Sequence, residues 1–160
     1  MNIINLIRYK NLILIALVQV LIKYAMFPAF NVDTTLSTFQ FIILVISTVC
    51  IAAGGYIIND IFDVETDAIN KPNKQIIGKT IAKDKAYNYY MAFTFIGVVT
   101  GFYLANDVNR STFFGIFVVI AALLYIYASF LKPMLLVGNI VISGLVALSL
   151  IVVGIFDLLP

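Results

Sequence analysis

The chain has 160 residues, of which 62% are hydrophobic and 11% charged, with a net charge of +2 and a mean hydropathy of +1.06. Soluble domains carry roughly 25% charged residues and disordered chains carry few apolar ones, so both classes are excluded. A charge balance this close to neutral gives no basis for binding nucleic acid.

Helical spans take about 20 apolar residues each, so this length holds about five of them and no large soluble domain. Five apolar segments are read, at about 11–30, 39–58, 89–105, 113–131 and 135–159. The expected fold is all-α: a polytopic transmembrane helical bundle of about five spans, in a single transmembrane domain over 1–160. Arg8 and Lys10 precede the first span, but no A-x-A-like cleavage site follows. The segment is therefore read as a retained helix.

Charge alternates sharply between the connecting loops. One side carries Arg8, Lys10, Lys71, Lys74, Lys79, Lys83, Lys85 and Lys132, and the other only Arg110. The positive-inside rule makes the lysine-rich side cytoplasmic. The N-terminus and the loop 59–88 then face the cytoplasm and the far end of the fifth span faces outward, in an integral protein of the inner or plasma membrane. Lys23 lies within the first span. It is seven residues from Phe30, roughly 10 Å at the helical rise, and is expected to snorkel to the outer surface. Gly97 and Gly101 form a GxxxG pair suited to close helix packing. Gly54 and Gly55 suit either a helix break or a close neighbour.

The rare polar residues define the chemistry. There is no His and a single Cys, Cys50, so imidazole bases, His-bound zinc, cysteine clusters and internal disulfides are absent. Any metal site must use carboxylate oxygens, which suits Mg²⁺. Of eight acidic residues, four lie at Asp60, Asp63, Glu65 and Asp67. On a helix Asn59, Asp60, Asp63 and Asp67 share a stripe about 100° wide, with Glu65 pointing away. Carboxylates crowded on one face repel each other unless a cation neutralises them. Mg²⁺ takes one or two carboxylates together with substrate phosphate oxygens, so a metal–phosphate site is one reading; a solvated helix end is the other. Lys71 and Lys74 follow, either as partners of phosphate oxygens or as part of the cytoplasmic lysine excess.

The run Asn59-Asp60-Ile61-Phe62-Asp63-Val64-Glu65-Thr66-Asp67-Ala68-Ile69-Asn70-Lys71-Pro72, with Arg8 and Asn11 at the start of the first span and Leu131-Lys132 before Gly138-Asn139, resembles the UbiA superfamily of intramembrane prenyltransferases. The resemblance implies a nine-helix bundle around a central cavity, of which this chain corresponds to the first half. It implies two Asp-rich motifs that hold Mg²⁺ and the diphosphate of an isoprenyl donor. By position, Asn59, Asp60, Asp63 and Asp67 match the first motif, with Asp60, Asp63 and Asp67 as metal-binding and catalytic residues. Asn11, Asn59, Lys71, Lys74, Tyr125 and Lys132 match substrate-binding positions.

The chain departs from the family in two places. Lys74-Gln75 stands where Arg-Pro is common, and Lys lacks the bidentate grip of Arg on phosphate. No second Asp-rich motif follows residue 67; Asp84, Asp107 and Asp157 are isolated in the sequence. The resemblance therefore leads to the expectation of an incomplete enzyme, inactive alone, carrying only the first motif. The activity it implies is Mg²⁺-dependent transfer of an isoprenyl group from a polyprenyl diphosphate to a lipophilic acceptor in the lipid bilayer. Glycerol-phosphate lipids and quinone precursors are candidate acceptors. The alternatives are a non-catalytic membrane scaffold and a transporter segment; the clustering of acids at one end of the spans disfavours the latter.

Overall fold

The computed structural model of the protein describes residues 2–70, 73 and 75–158. Seven helices follow one another: α1 Asn2–Leu6, α2 Tyr9–Ala29, α3 Thr38–Phe62, α4 Val64–Asn70, α5 Lys83–Asp107, α6 Ser111–Leu131 and α7 Leu135–Leu158. The expectation of an all-helical membrane bundle holds. Among the described residues four helices, at Tyr9–Ala29, Thr38–Phe62, Ser111–Leu131 and Leu136–Leu158, are long and apolar enough to cross a bilayer. The third of the five expected spans, at about 89–105, lies in α5. That helix has the same 25 residues as α3 but is less apolar, because tyrosines, threonines and Asn88 interrupt it.

α5 nevertheless runs along α3 over most of its length, and its glycines explain how. Gly97 sits directly against Ser47 and Ile51, and Gly101 lies under the ring of Phe117. A Cβ at either position would meet a neighbour closer than carbon atoms pack. Ser47 Oγ donates to the Gly97 carbonyl at 2.6 Å, a bond between buried groups that ties the two helices. Gly54 meets Thr94 in the same way, and Gly55 meets Leu124 of α6. Both glycines lie inside the unbroken α3, so they admit neighbours and do not break the helix.

Local signals set the helix ends. Ser37 Oγ accepts from the Gln40 N–H at 3.2 Å while the Ser37 N–H donates to Gln40 Oε1 at 2.8 Å, a reciprocal capping box that starts α3. α2 and α5 are followed by Asn31 (φ 53°) and Asn109 (φ 58°), a residue type that tolerates left-handed backbone. Arg8 (φ 52°) makes the corner between α1 and α2. One π turn, Ile22–Met26, lies inside α2, and another, Tyr127–Leu131, ends α6.

Two apolar clusters hold the bundle. One, around Phe27, Phe41, Leu44, Leu104, Phe117 and Phe156, fills the end where α2, α5 and α7 finish. The other, around Leu6, Ile57, Ile58, Ile61 and Ala86, lies at the opposite end and takes in Ile77 and Ile81 from the segment before α5. In that segment Gly78 has φ 88°, a conformation that costs glycine little, and Gln75 Nε2 donates to the Val64 carbonyl at 3.0 Å.

Lys23 does not snorkel as expected. It is 4% exposed and bonds Asp157, itself fully buried, at 2.6 Å, and it donates to the Leu36 carbonyl at 2.9 Å. The other Asp157 oxygen accepts the Leu36 N–H at 2.8 Å. Asp157 is thus not isolated, and Asp107 is not either, since it accepts from Gln40 Nε2 at 2.7 Å. Lys23 lies within the π turn Ile22–Met26, where one extra residue changes which side chains face inward.

Candidate functional site

A cavity of about 380 Å³ lies between α2, α3, α6 and α7. From α3 it takes Thr48, Ile51, Ala52, Gly55, Tyr56 and Asn59, from the residue that follows it Asp63, and from α4 Asp67. These residues recur at steps of three and four, one continuous helical stripe. The polar groups collect at one end, where Arg8, Tyr56, Asn59, Asp63, Asp67, Tyr127 and Lys132 form a mouth. Ile15, Ile120, Leu124, Ile142, Leu145 and Val146 make apolar walls beyond it. The cavity therefore has a charged entrance and a lipid-like interior, suited to a ligand with an anionic head and an apolar tail.

The mouth is held by paired charges. Lys132 Nζ, at the end of α6, forms an ion pair with Asp63 Oδ2, and Asn59 Nδ2 donates to the same oxygen at 2.9 Å. Arg8 Nη2 bonds Asp60 Oδ1 at 2.7 Å, and its guanidinium lies 5.0 Å over the ring of Tyr56. Asn11 Nδ2 donates to the Tyr56 hydroxyl at 3.4 Å. Three helices that begin or end here contribute these groups, so the bundle itself sets the spacing.

The backbone explains how the carboxylates are distributed. α3 ends at Phe62, and Asp63 (φ −85°, ψ 0°) makes the joint with α4. Hydrogen bonds still run from the Asp63 N–H to the Asn59 carbonyl at 3.0 Å and from the Asp67 N–H to the Asp63 carbonyl at 2.7 Å. The chain bends while keeping its stripe, so Asn59, Asp63 and Asp67 all line the cavity. Asp60 is turned to the flank, toward Arg8, and with Asp67 it lines a small adjoining cleft closed by Gln75, Ile76 and Ile77.

The single face of three carboxylates is thus divided between two surfaces. Among the described residues no group of three acidic or cysteine side chains is placed to hold a metal ion. The donor set that lines the mouth, two carboxylates and one amide oxygen, has the chemistry of a Mg²⁺ ion that takes one or two carboxylates and completes its shell with phosphate and water. It does not have the form of a three-carboxylate cage.

A model of the UbiA prenyltransferase family matches residues 14–156. The chain belongs to the UbiA prenyltransferase family. Among its relatives, a protein of Hyperthermus butylicus named digeranylgeranylglyceryl phosphate synthase is 34% identical over 143 residues, which are 89% of this chain and 45% of the relative. A protein of Sulfurisphaera tokodaii with the same name is 38% identical over 110 residues, 69% of this chain and 38% of the relative. A solved structure whose description concerns digeranylgeranylglyceryl phosphate synthase in membranes superposes with a TM-score of 0.77 at 24% identity, over 97% of this chain and 52% of that one. The fold is therefore shared, and the chain spans about half or less of the length of each of these proteins.

Within this UbiA-family chain, the sequence-derived site residues that the structure describes fall in three groups. Asn59, Asp63, Asp67 and Lys132 line the cavity. Asp60 and Asn11 stand behind its lining, through Arg8 and Tyr56. Tyr125 lies outside it, packed edge-on to Phe62 with ring centroids 5.8 Å apart and beside Tyr90; Tyr127 lines the cavity in its place. Lys71 and Lys74 lie outside the described residues. Arg8, Tyr56 and Thr48 were not named as site residues. The signal for Tyr56 and Thr48 was available: both continue the stripe of Asn59 and Asp63 back along α3.

Proposed function

We propose that this cavity receives a polyprenyl diphosphate and that the chain forms the first Asp-motif half of a membrane prenyltransferase site. The observation that carries the reading is the joining of a mouth of Asn59, Asp63, Asp67, Arg8 and Lys132 to an apolar cavity inside a helical membrane bundle. The diphosphate belongs at the mouth and the isoprenyl chain along the apolar walls.

Asp63 and Asp67, with Asn59, would hold Mg²⁺, and the ion when bound would supply positive charge to the diphosphate oxygens. Lys132 and Arg8 add two cations beside the same oxygens and so favour departure of the diphosphate. Ionisation leaves an allylic cation, which water would destroy. The apolar walls keep water from it, and the Tyr56 and Tyr127 rings are the aromatic faces nearest the mouth that can stabilise it. Bond formation to an acceptor oxygen then releases its proton.

The acceptor we favour is a glycerol-phosphate lipid, the class printed in the names of the relatives. The lysine excess supports a mouth on the cytoplasmic side of the plasma or inner membrane. The test is incubation of the membrane-reconstituted protein with radiolabelled geranylgeranyl diphosphate, a geranylgeranylglyceryl phosphate acceptor and Mg²⁺. Label is expected to bind, to depend on Mg²⁺, and to be lost in Asp63→Asn. Mg²⁺-independent binding that survives Asp63→Asn would overturn the reading.

A further inference from the structure

The deep end of the cavity carries a polar crosslink that the reaction at the mouth does not use. Thr48 lies fifteen residues before Asp63 on α3 and α4, about 22 Å down the helix at its rise of 1.5 Å per residue. Phe117 stands at an equivalent depth on α6, and Ser149 and Val152 on α7. All four line the cavity, and Thr48, Phe117 and Val152 are at most 9% exposed. Phe117 and Val152 also belong to the apolar cluster beneath, so the cavity ends where that cluster begins.

Gln19 of α2 is fully buried at this level. Its Nε2 donates to Thr48 Oγ1 at 3.2 Å and to the Ser149 carbonyl at 2.5 Å, joining α2, α3 and α7. Thr48 Oγ1 is itself held, because it donates to the Leu44 carbonyl at 3.0 Å. Gln19 Oε1 is buried without a hydrogen-bond partner, and an unsatisfied amide oxygen in an apolar interior is costly. A leucine would fill the position without that cost. What glutamine adds is a bridge of set length behind the end of the cavity, fixing Thr48 and Ser149, which line it.

We propose that Thr48 is a specificity-determining residue on the floor of the prenyl cavity, held in place from behind by Gln19, and that it limits the length of isoprenyl chain the cavity accepts. This rests on the polyprenyl diphosphate reading above. The floor acts through shape: a chain that ends above it fits along the apolar walls, and a longer one meets the Gln19–Thr48–Ser149 bridge or must fold back.

The test measures binding of geranyl, farnesyl, geranylgeranyl and geranylfarnesyl thiolodiphosphates to the full chain in nanodiscs with Mg²⁺. Each affinity is normalised to that for inorganic pyrophosphate in the same variant. Thr48→Ala enlarges the floor and Gln19→Ala removes its support, and both should raise the preference for the longer ligands by about tenfold, the low end of what one misfitting methylene costs in an apolar pocket. Thr48→Leu raises the floor and should shift preference toward the shorter ligands. Opposite shifts from two substitutions at one position are not a result of general destabilisation, and Thr48→Ala carries the test if Gln19→Ala does not fold. An unchanged ranking in all folded variants would overturn the floor, since the chain must then leave sideways into the lipid, while leaving the polyprenyl reading intact. Failure of the unaltered protein to bind any thiolodiphosphate or pyrophosphate would overturn both.

Discussion

Lys132 and Asp63, 69 residues apart in sequence, form an ion pair at the cavity mouth. The pair joins the end of α6 to the joint between α3 and α4, and it gives each charge a partner while no diphosphate is present. Lys132→Met is expected to weaken pyrophosphate binding about tenfold or more, since a hydrogen bond to a charged group contributes about 1.5–3 kcal/mol. Lys132→Arg should retain most of the binding. Titration calorimetry in detergent checks both, and equal losses in Met and Arg would show that the charge is not what matters.

Asp63 and Asp60 should differ in kind. Asp63 lines the cavity, whereas Asp60 holds Arg8 from the flank. Asp63→Asn is expected to abolish Mg²⁺-promoted pyrophosphate binding. Asp60→Asn should weaken binding while leaving its Mg²⁺ dependence in place. Mg²⁺ titrations at fixed pyrophosphate separate the two, and identical curves for both variants would refute the division of the acidic face.

The buried Lys23–Asp157 pair makes a stability prediction. Removing one partner leaves an uncompensated charge, which typically costs about 3–5 kcal/mol. Lys23→Met is therefore expected to lower the thermal midpoint strongly in detergent, and Lys23→Met with Asp157→Leu to recover much of the loss. A double variant no more stable than either single one would mean that the hydrogen bond from the Leu36 N–H to the Asp157 carboxylate dominates.

The α3–α5 contact is tightest at the glycines. Gly97→Leu should displace α5, because it drives a side chain into the Ser47 carbonyl and the Ile51 backbone; overpacking costs about 1–3 kcal/mol, and rigid backbone raises it. Gly101 faces a side chain, so Gly101→Ala combined with Phe117→Leu should fold better than Gly101→Ala alone. Protease resistance in micelles reports each case.

Much of this was legible in the sequence where a pattern repeats on one helix. The Asn59–Asp63–Asp67 stripe, the apolar spans and the Gly97–Gly101 pair all follow from local periodicity. The losses occurred where the outcome depends on what a neighbouring helix offers. Asp60 belongs to the same stripe by angle, but Arg8 draws it to the flank. Lys23 has the reach to snorkel, but Asp157 gives it a partner from the far end of the chain. Tyr125 and Tyr127 are equally aromatic and two residues apart, so only the path of α6 decides which one meets the cavity.

That path depends on the π turn at Tyr127–Leu131, where the Lys132 N–H bonds the Tyr127 carbonyl five residues back at 2.9 Å. One surplus residue delays the phase of everything after it by about a quarter of a turn relative to a regular helix. Deleting a single residue between 127 and 131 would keep nearly every side chain of the site in the protein yet rotate Lys132 off its bearing toward Asp63. The composition of the mouth would survive and its alignment would not, so the spacing of the chain is as much a part of this site as the identity of its charges.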